Sequence, residues 1–268
     1  MTTATDREPV SSHFPAQLRH WRSTRHVSQF ELAVRAGTTQ RHLSYLEQGR
    51  SRPGRTLVVR LAESLELSLR ERNGFLLAAG YAPVYPESRL EDAALKPVRT
   101  ALEQIMQGHL PYPAVIAQPY GELVAANSAF EVLTHGAAPE LLEPPINLLR
   151  LAVHPNGMAP RVENLSEWGQ HIVENLRARA LRHPDPRLDA FVAELQGYLP
   201  AYRPGPEHIG FAVPLRLCSP DGELHLLTTL TSFATAADVT LAELHLEAFL
   251  PADDATARML QQRHANRS

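Results

Sequence analysis

The chain has 268 residues, an apolar fraction of 44% and a formal net charge of −3, enough for two ordinary domains with sizeable cores. A single cysteine, Cys218, excludes an internal disulfide framework and any multi-cysteine zinc module, and fits a reducing compartment. The polar start MTTATDREP lacks the basic-then-apolar pattern of a signal peptide, and no apolar run approaches bilayer length, so the expectation is a cytoplasmic protein with no membrane partner.

Charge is unevenly placed. Residues 1–80 hold 12 arginines against 7 carboxylates, a balance of +5, which leaves −8 for the remainder. The basic part also carries the most informative pattern. Residues 1–12 are expected to be disordered, and a first helix is predicted over 14–24 with Leu18 and the core candidate Trp21 on one face. Ser28 and Glu31 have the spacing of a capping box. Leu32, Ala33 and Ala36 then recur at helical spacing, Gly37 supplies a left-handed stop, and Thr39 can cap the next helix. Leu43 and Leu46 face the core of that second helix. Gln40, Arg41, Ser44 and Gln48 fall on its opposite side, where amide, guanidinium and hydroxyl groups can reach base edges and phosphates. Thr56 is placed to cap a fourth helix with Leu57, Leu61 and Leu65 inward, and Ser68 with Glu71 forms a second capping box opening a fifth helix through Ala79.

These residues resemble the helix-turn-helix of the Xre family, related to phage repressors and Cro. The matching positions are Gln29, Leu32-Ala33, Gly37, Leu43-Ser44, the run Leu46-Glu47-Gln48-Gly49-Arg50, Pro53, and Leu61-Ala62; Thr38 departs, since the family usually has an apolar residue there. The resemblance implies an all-α DNA-binding domain over 13–80 whose partner is double-stranded operator DNA. Arg41 and Gln40 are the candidates for base readout, because arginine matches guanine O6 and N7 and glutamine matches adenine N6 and N7. Thr39 sets which first-turn residues enter the groove. Gln29 and Ser44 are candidate phosphate contacts, and Arg50, Arg52 and Arg55 form a flanking loop cluster that attracts the backbone without reading sequence.

Gly80 and the proline-bearing YAPVYPE place a linker over 81–96, followed by a second domain over 97–268. A helix from about Pro97 carries Leu102, Ile105 and Met106 on one side. Strands over 114–118 and 122–126 flank the turn Pro119-Tyr120-Gly121, and Asn127 is placed to cap the helix after them. Helices are predicted over 146–151, 165–182 and 186–199, and strands over 211–217, 224–233 and 239–249, with a turn at Ser219-Pro220-Asp221-Gly222. This order predicts an α+β domain, an antiparallel sheet with helices on one face. Cys218, in an alternating apolar segment, is expected to be a buried inert thiol.

The segments Val124-Ala125-Ala126-Asn127, Asn147-Leu148-Leu149-Arg150 with His154-Pro155, and Trp168 are similar to the ligand-binding domain of MmyB-type transcription regulators, as are Glu71-Arg72-Asn73 and Leu76-Leu77-Ala78-Ala79-Gly80-Tyr81 at the join. That resemblance implies a PAS-like sheet around a cavity for a small apolar, acyl or fatty-acid-type ligand. Arg150 can anchor a ligand carboxylate through its planar fork or make an internal ion pair. Asn127 reads as a helix cap or a ligand contact, and Trp168, in line with Ile172 and Leu176, as core or cavity wall.

Thirteen histidines, among them His154, His171, His208, His225 and His245, show no ligand-pair spacing. No GxSxG elbow, phosphate-binding loop or dinucleotide fingerprint occurs, and 14 glycines leave little material for one. The expectation is therefore a non-enzymatic regulator without metal or cofactor, a homodimeric repressor whose second domain senses a ligand. The alternative makes that domain a ligand-free interaction and dimerisation module.

Overall fold

A computed structural model describes residues 13–182, 186–201, 212–233 and 235–267; the segment 1–12 expected to be disordered, and His208, lie outside the described residues. The chain divides into two units, one of residues 1–88 with 236–242 and one of 89–235 with 243–268.

The first unit holds α1 (His13–Thr24), α2 (Gln29–Arg35), α3 (Gln40–Glu47), α4 (Arg55–Ser64) and α5 (Leu69–Ala78). Leu18, Leu32, Leu43, Leu46, Leu61 and Phe75 are fully buried in one core, and Trp21 lies half-buried against it beneath the Arg25 guanidinium. Gly37 takes φ +62° between α2 and α3, where the Thr38 N–H reaches back to the Ala33 carbonyl at 2.8 Å. Any side chain there would be strained and would press on Arg60 Nη1. Thr39 then caps α3 by accepting the His42 N–H.

The two capping boxes differ. Ser68 and Glu71 exchange both bonds, whereas Ser28 accepts the Glu31 N–H but the Glu31 carboxylate turns to Arg35 one helical turn on. Helix α4 begins a residue before the expected cap. Gly54 is its N-cap, its carbonyl accepting from Leu57 and Val58, and Thr56 lies inside the first turn. After α5 the chain does not leave the bundle at once. Asn73 accepts the N–H groups of Val84 and Tyr85 and donates to the Tyr85 carbonyl, Arg72 donates to the Tyr85 hydroxyl, and Tyr81 donates to the Pro53 carbonyl. Buried Asp238 accepts the Ser88 N–H at 3.0 Å, and Val239 donates to the Pro86 carbonyl.

In the second unit a five-stranded antiparallel sheet has the order β2-β1-β5-β4-β3, from β1 (Ala114–Ala117), β2 (Leu123–Ala126), β3 (Leu215–Ser219), β4 (Gly222–Ser232) and β5 (His245–Pro251). The unit's helices are α6 (Lys96–Gly108), α7 (Glu131–Thr134), α8 (Leu148–Val153), α9 (Leu165–Arg182) and α10 (Pro186–Tyr198), with α12 (Asp254–Ala265) at its end. Val115, Ala117, Leu215, Leu217, Leu224, Leu226 and Phe249 share a core with Leu151, Val173, Leu188 and Leu195 of these helices. The α+β expectation is met.

Several local expectations are corrected. The strand predicted over 239–249 splits into α11 (Val239–Glu243) and β5, because Asp238 accepts the N–H groups of Thr240 and Leu241 and starts a helical turn. Ile105 is 44% exposed, while Leu102 and Met106 of the same helix are buried. Cys218 is half-buried rather than enclosed, with its thiol 2.9 Å from Glu163 Oε1; that hydrogen bond raises the thiol above its ordinary pKa. Helix α12 was not anticipated, although Asp253 caps it through the Thr256 N–H at 2.7 Å.

Asn127 occupies an N-cap position yet makes no capping bond. Its side chain, 4% exposed, accepts the Ala114 N–H and donates to the carbonyls of Met106 and Tyr112. It ties the end of α6 to the start of the sheet. Asn127→Ala removes all three bonds and leaves the buried Ala114 N–H without this partner, so the unfolding free energy should fall by about 1–3 kcal/mol, read by urea denaturation followed by circular dichroism; an unchanged midpoint would mean the tie is dispensable.

Candidate nucleic-acid interface

Helix α3 has two chemically different sides because the spacing of its leucines leaves only one direction inward. Leu43, Leu46 and Glu47 are buried. Gln40, Arg41 and Gln48 are exposed and Ser44 is half-buried. The outer residues already interact: Arg41 Nε donates to the Tyr45 hydroxyl at 3.0 Å with its guanidinium 5.4 Å over the ring, and Gln48 donates to Ser44 Oγ at 3.0 Å. These i, i+4 contacts hold long polar side chains in extended array along one face. Thr39, exposed, spends its hydroxyl on the cap, which orients the first turn.

Arg50, Arg52 and Arg55 lie exposed just past α3, none of them paired with a carboxylate among the described residues. Three uncompensated cations beside a polar helix face make a surface suited to phosphate. Thr38, where the family pattern is apolar, places its hydroxyl 3.1 Å from His42 Nδ1.

Gln29 stands differently from its expected neighbours. Its amide donates to Glu47 Oε2 at 2.7 Å, and the Arg22 fork holds the same carboxylate at 2.6 and 3.2 Å. Arg19 donates to the Glu47 carbonyl. Glu47, 3% exposed, thereby joins α1, α2 and α3. The sequence reading missed this carboxylate; its signal was the i, i+4 spacing to Leu43, which sets Glu47 on the inward side.

The three candidates in the second unit do not converge on one point in any recorded contact. Arg150 of α8 gives both arms of its fork to Glu194 of α10, at 2.6 and 3.0 Å, and lies over Phe191. The Arg150 guanidinium holds the Glu194 carboxyl below the usual carboxylate range, and Glu194 in turn raises Arg150. Tyr198 adds a hydrogen bond to the same carboxylate. Trp168 of α9 is buried within the core cluster, and the Asn127 side chain is taken up by its tie between α6 and the sheet. Among the described residues no group of three or more His, Cys, Asp or Glu could hold a metal ion, and no helix is long and apolar enough to cross a membrane.

Residues 98–262 match the family described as the MmyB-like transcription regulator ligand binding domain, and residues 13–75 match a helix-turn-helix domain. Over 59 residues the chain is 39% identical to an uncharacterized HTH-type transcriptional regulator, y4dL, of Sinorhizobium fredii; this stretch is 22% of the chain and 30% of that protein, so the chain spans less than a third of its relative. Among solved structures it is similar to the clp gene regulator ClgR of Corynebacterium glutamicum, at 27% identity over 28% of this chain and 94% of that one, with a TM-score of 0.24. An RNA-binding light-oxygen-voltage receptor aligns over 96% of the chain and 65% of its own, at 13% identity and a TM-score of 0.25.

Glu47→Ala removes the common partner of Arg22 and Gln29 and leaves a largely buried guanidinium uncompensated. A loss of about 2–3 kcal/mol is expected, below that of a fully enclosed pair because Arg22 keeps some water. Thermal unfolding of the variant measures it, and a loss under half of that would remove Glu47 from its place as the bundle's tie.

Proposed function

The chain belongs to the MmyB-like transcription regulators, with a helix-turn-helix domain ahead of the family's ligand-binding domain, and on that premise we propose a dimeric repressor that releases its operator when a small apolar or acyl compound binds. The observation that carries the DNA side is the outward row Gln40, Arg41, Ser44 and Gln48 on α3 beside three exposed arginines. A single short helix reads too few base pairs, so two copies on an inverted repeat, with their reading helices about 34–36 Å apart, are the working unit. Arg41 and Gln40 read bases; Ser44 with Arg50, Arg52 and Arg55 holds phosphates. Gln29 serves chiefly by positioning, since its amide already has Glu47 as partner.

For the second domain the proposal is a sensor without enzymatic activity. Arg150 fits the internal-ion-pair role better than the ligand-anchor role, because an incoming carboxylate would have to displace Glu194 from both arms of the fork. Trp168 and the leucines around it are then the wall of an apolar interior rather than polar readers, and Asn127 is structural.

Arg41→Ala should weaken binding to the preferred operator by about 1–3 kcal/mol and relax choice at one base position, while Arg52→Ala should weaken all duplexes alike. Fluorescence anisotropy on specific and scrambled duplexes measures both, and undiminished operator affinity in Arg41→Ala would reject the assigned face.

Titration of medium- and long-chain fatty acids into the protein–operator complex should lower affinity by a factor of about 5–150. Arg150→Ala should melt at lower temperature and keep a response to whichever acyl compound acts on the wild type. A variant that melts normally and has lost the response would restore the anchor role. No release by any acyl compound would favour the interaction-module alternative.

A further inference from the structure

Tyr45 lies at the margin of the outward face of α3 and was not among the residues that the sequence pattern singled out. Side chains on a helix lean toward its N-terminus, so a ring at position 45 lies over the turn that carries position 41. There the Tyr45 hydroxyl accepts the Arg41 Nε–H at 3.0 Å, and the guanidinium carbon stands 5.4 Å from the ring centroid. The backbone of Tyr45 is fixed independently of this contact. Its carbonyl accepts the Arg50 N–H at 2.9 Å, where the chain turns through Gly49 at φ +71°. Tyr45 is half-buried and Arg41 exposed, so the more firmly held partner sets the position of the freer one.

The bond decides which edge of the guanidinium is free. Arginine can offer two pairs of parallel N–H groups to the O6 and N7 of guanine, one from Nε with the nearer Nη and one from the two Nη atoms at its end. With the Nε–H given to Tyr45 the first pair is spent and the terminal pair remains. An exposed i, i+4 pair of this kind adds little to the stability of a helix, so its consequence lies in binding. A long cationic side chain gives up rotamer freedom when it seats against a base edge, and one already held in place has less to lose.

We infer that Tyr45 is a positioning residue for base readout: it holds Arg41 with its terminal fork free and so confines that arginine to an end-on bidentate contact. The base that fits is guanine, which presents two adjacent acceptors in the major groove where adenine presents an acceptor beside a donor. The inference rests on the DNA-reading role proposed above for α3, and it names the residue that fixes the most selective contact of that face.

The test uses the full chain and a duplex that the wild type selects from a random-sequence pool, with each base pair of that duplex changed in turn and a scrambled duplex for comparison. Tyr45→Phe keeps the ring and removes the hydrogen-bond acceptor; Tyr45→Leu removes both. Each should keep the wild-type circular dichroism spectrum and the wild-type affinity for the scrambled duplex, yet lose about three- to tenfold in affinity for the selected one. The loss should fall on the guanine position that Arg41→Ala also relaxes, and it should vanish in the Arg41→Ala background, where there is no fork to hold. Undiminished choice at that position in both Tyr45 variants, with Arg41→Ala having lost it, would overturn the positioning role and leave the assigned face standing. Equal losses on selected and scrambled duplexes would overturn it too, by making Tyr45 a phosphate contact. A wild type that enriches no sequence, or an Arg41→Ala variant with unchanged choice at every position, would overturn both the inference and the reading beneath it.

Discussion

The carboxylate of Glu47 is the interaction on which the outward polar face of α3 depends. It sits at the inner end of α3, receives the Arg22 fork from α1 and the Gln29 amide from α2, and is almost wholly buried. Leucines alone would fix the depth of α3 in the bundle but only weakly its rotation about its own axis, because apolar contact is non-directional. A buried charge with three directed hydrogen bonds is directional. Turning α3 by a fraction of a turn would break them and leave the buried Glu47 carboxylate without its partners. The outward face of Gln40, Arg41 and Ser44 is thus set from the inside, by a buried residue.

The patterns that depend on neighbours in sequence were legible, and those that depend on a competition between partners were not. Thr39, Gly37 and the box at Ser68 follow from spacing because the groups they satisfy lie within four residues. Ser28 shows the limit. Its partner Glu31 had a second suitor in Arg35, and the ion pair took the carboxylate. Gln29 and Arg150 are the same lesson over longer range: each is a polar residue whose partner, Glu47 or Glu194, lies 18 or 44 positions away. Sequence could offer contact and ion pair as alternatives for Arg150 but had no means of seeing which acid stood opposite. The strand predicted over 239–249 gives way at its start to α11 because Asp238 caps the first turn, and α12 was missed although Asp253 and Thr256 stand at capping distance in sequence.

Asp238 also bears on how a ligand domain can influence a DNA-binding one. It is buried, and it holds the backbone of Ser88 while starting α11. Burial alone would push its pKa up, but the hydrogen bonds from Ser88, Leu241 and Thr240 more than offset this and hold it low. The anion is thus the form that fits. Together with Asn73, which grips residues 84 and 85, it makes the stretch after α5 an ordered strap rather than a loose tether.

The segment bonded to this strap comes from far along the chain. Residues 236–242 belong to the first unit, yet the strands on either side of them, β4 and β5, belong to the second. The chain therefore passes between the units at residue 88 and again on both sides of α11, and a single proline-bearing linker is not its only connection. A ligand can change operator affinity only if it binds the competent and incompetent arrangements unequally. With one flexible connection, such a difference would have little to act through. Here β4 and β5 are each joined in sequence to the 236–242 segment, in which Asp238 and Thr240 bond Ser88 and Val239 bonds Pro86.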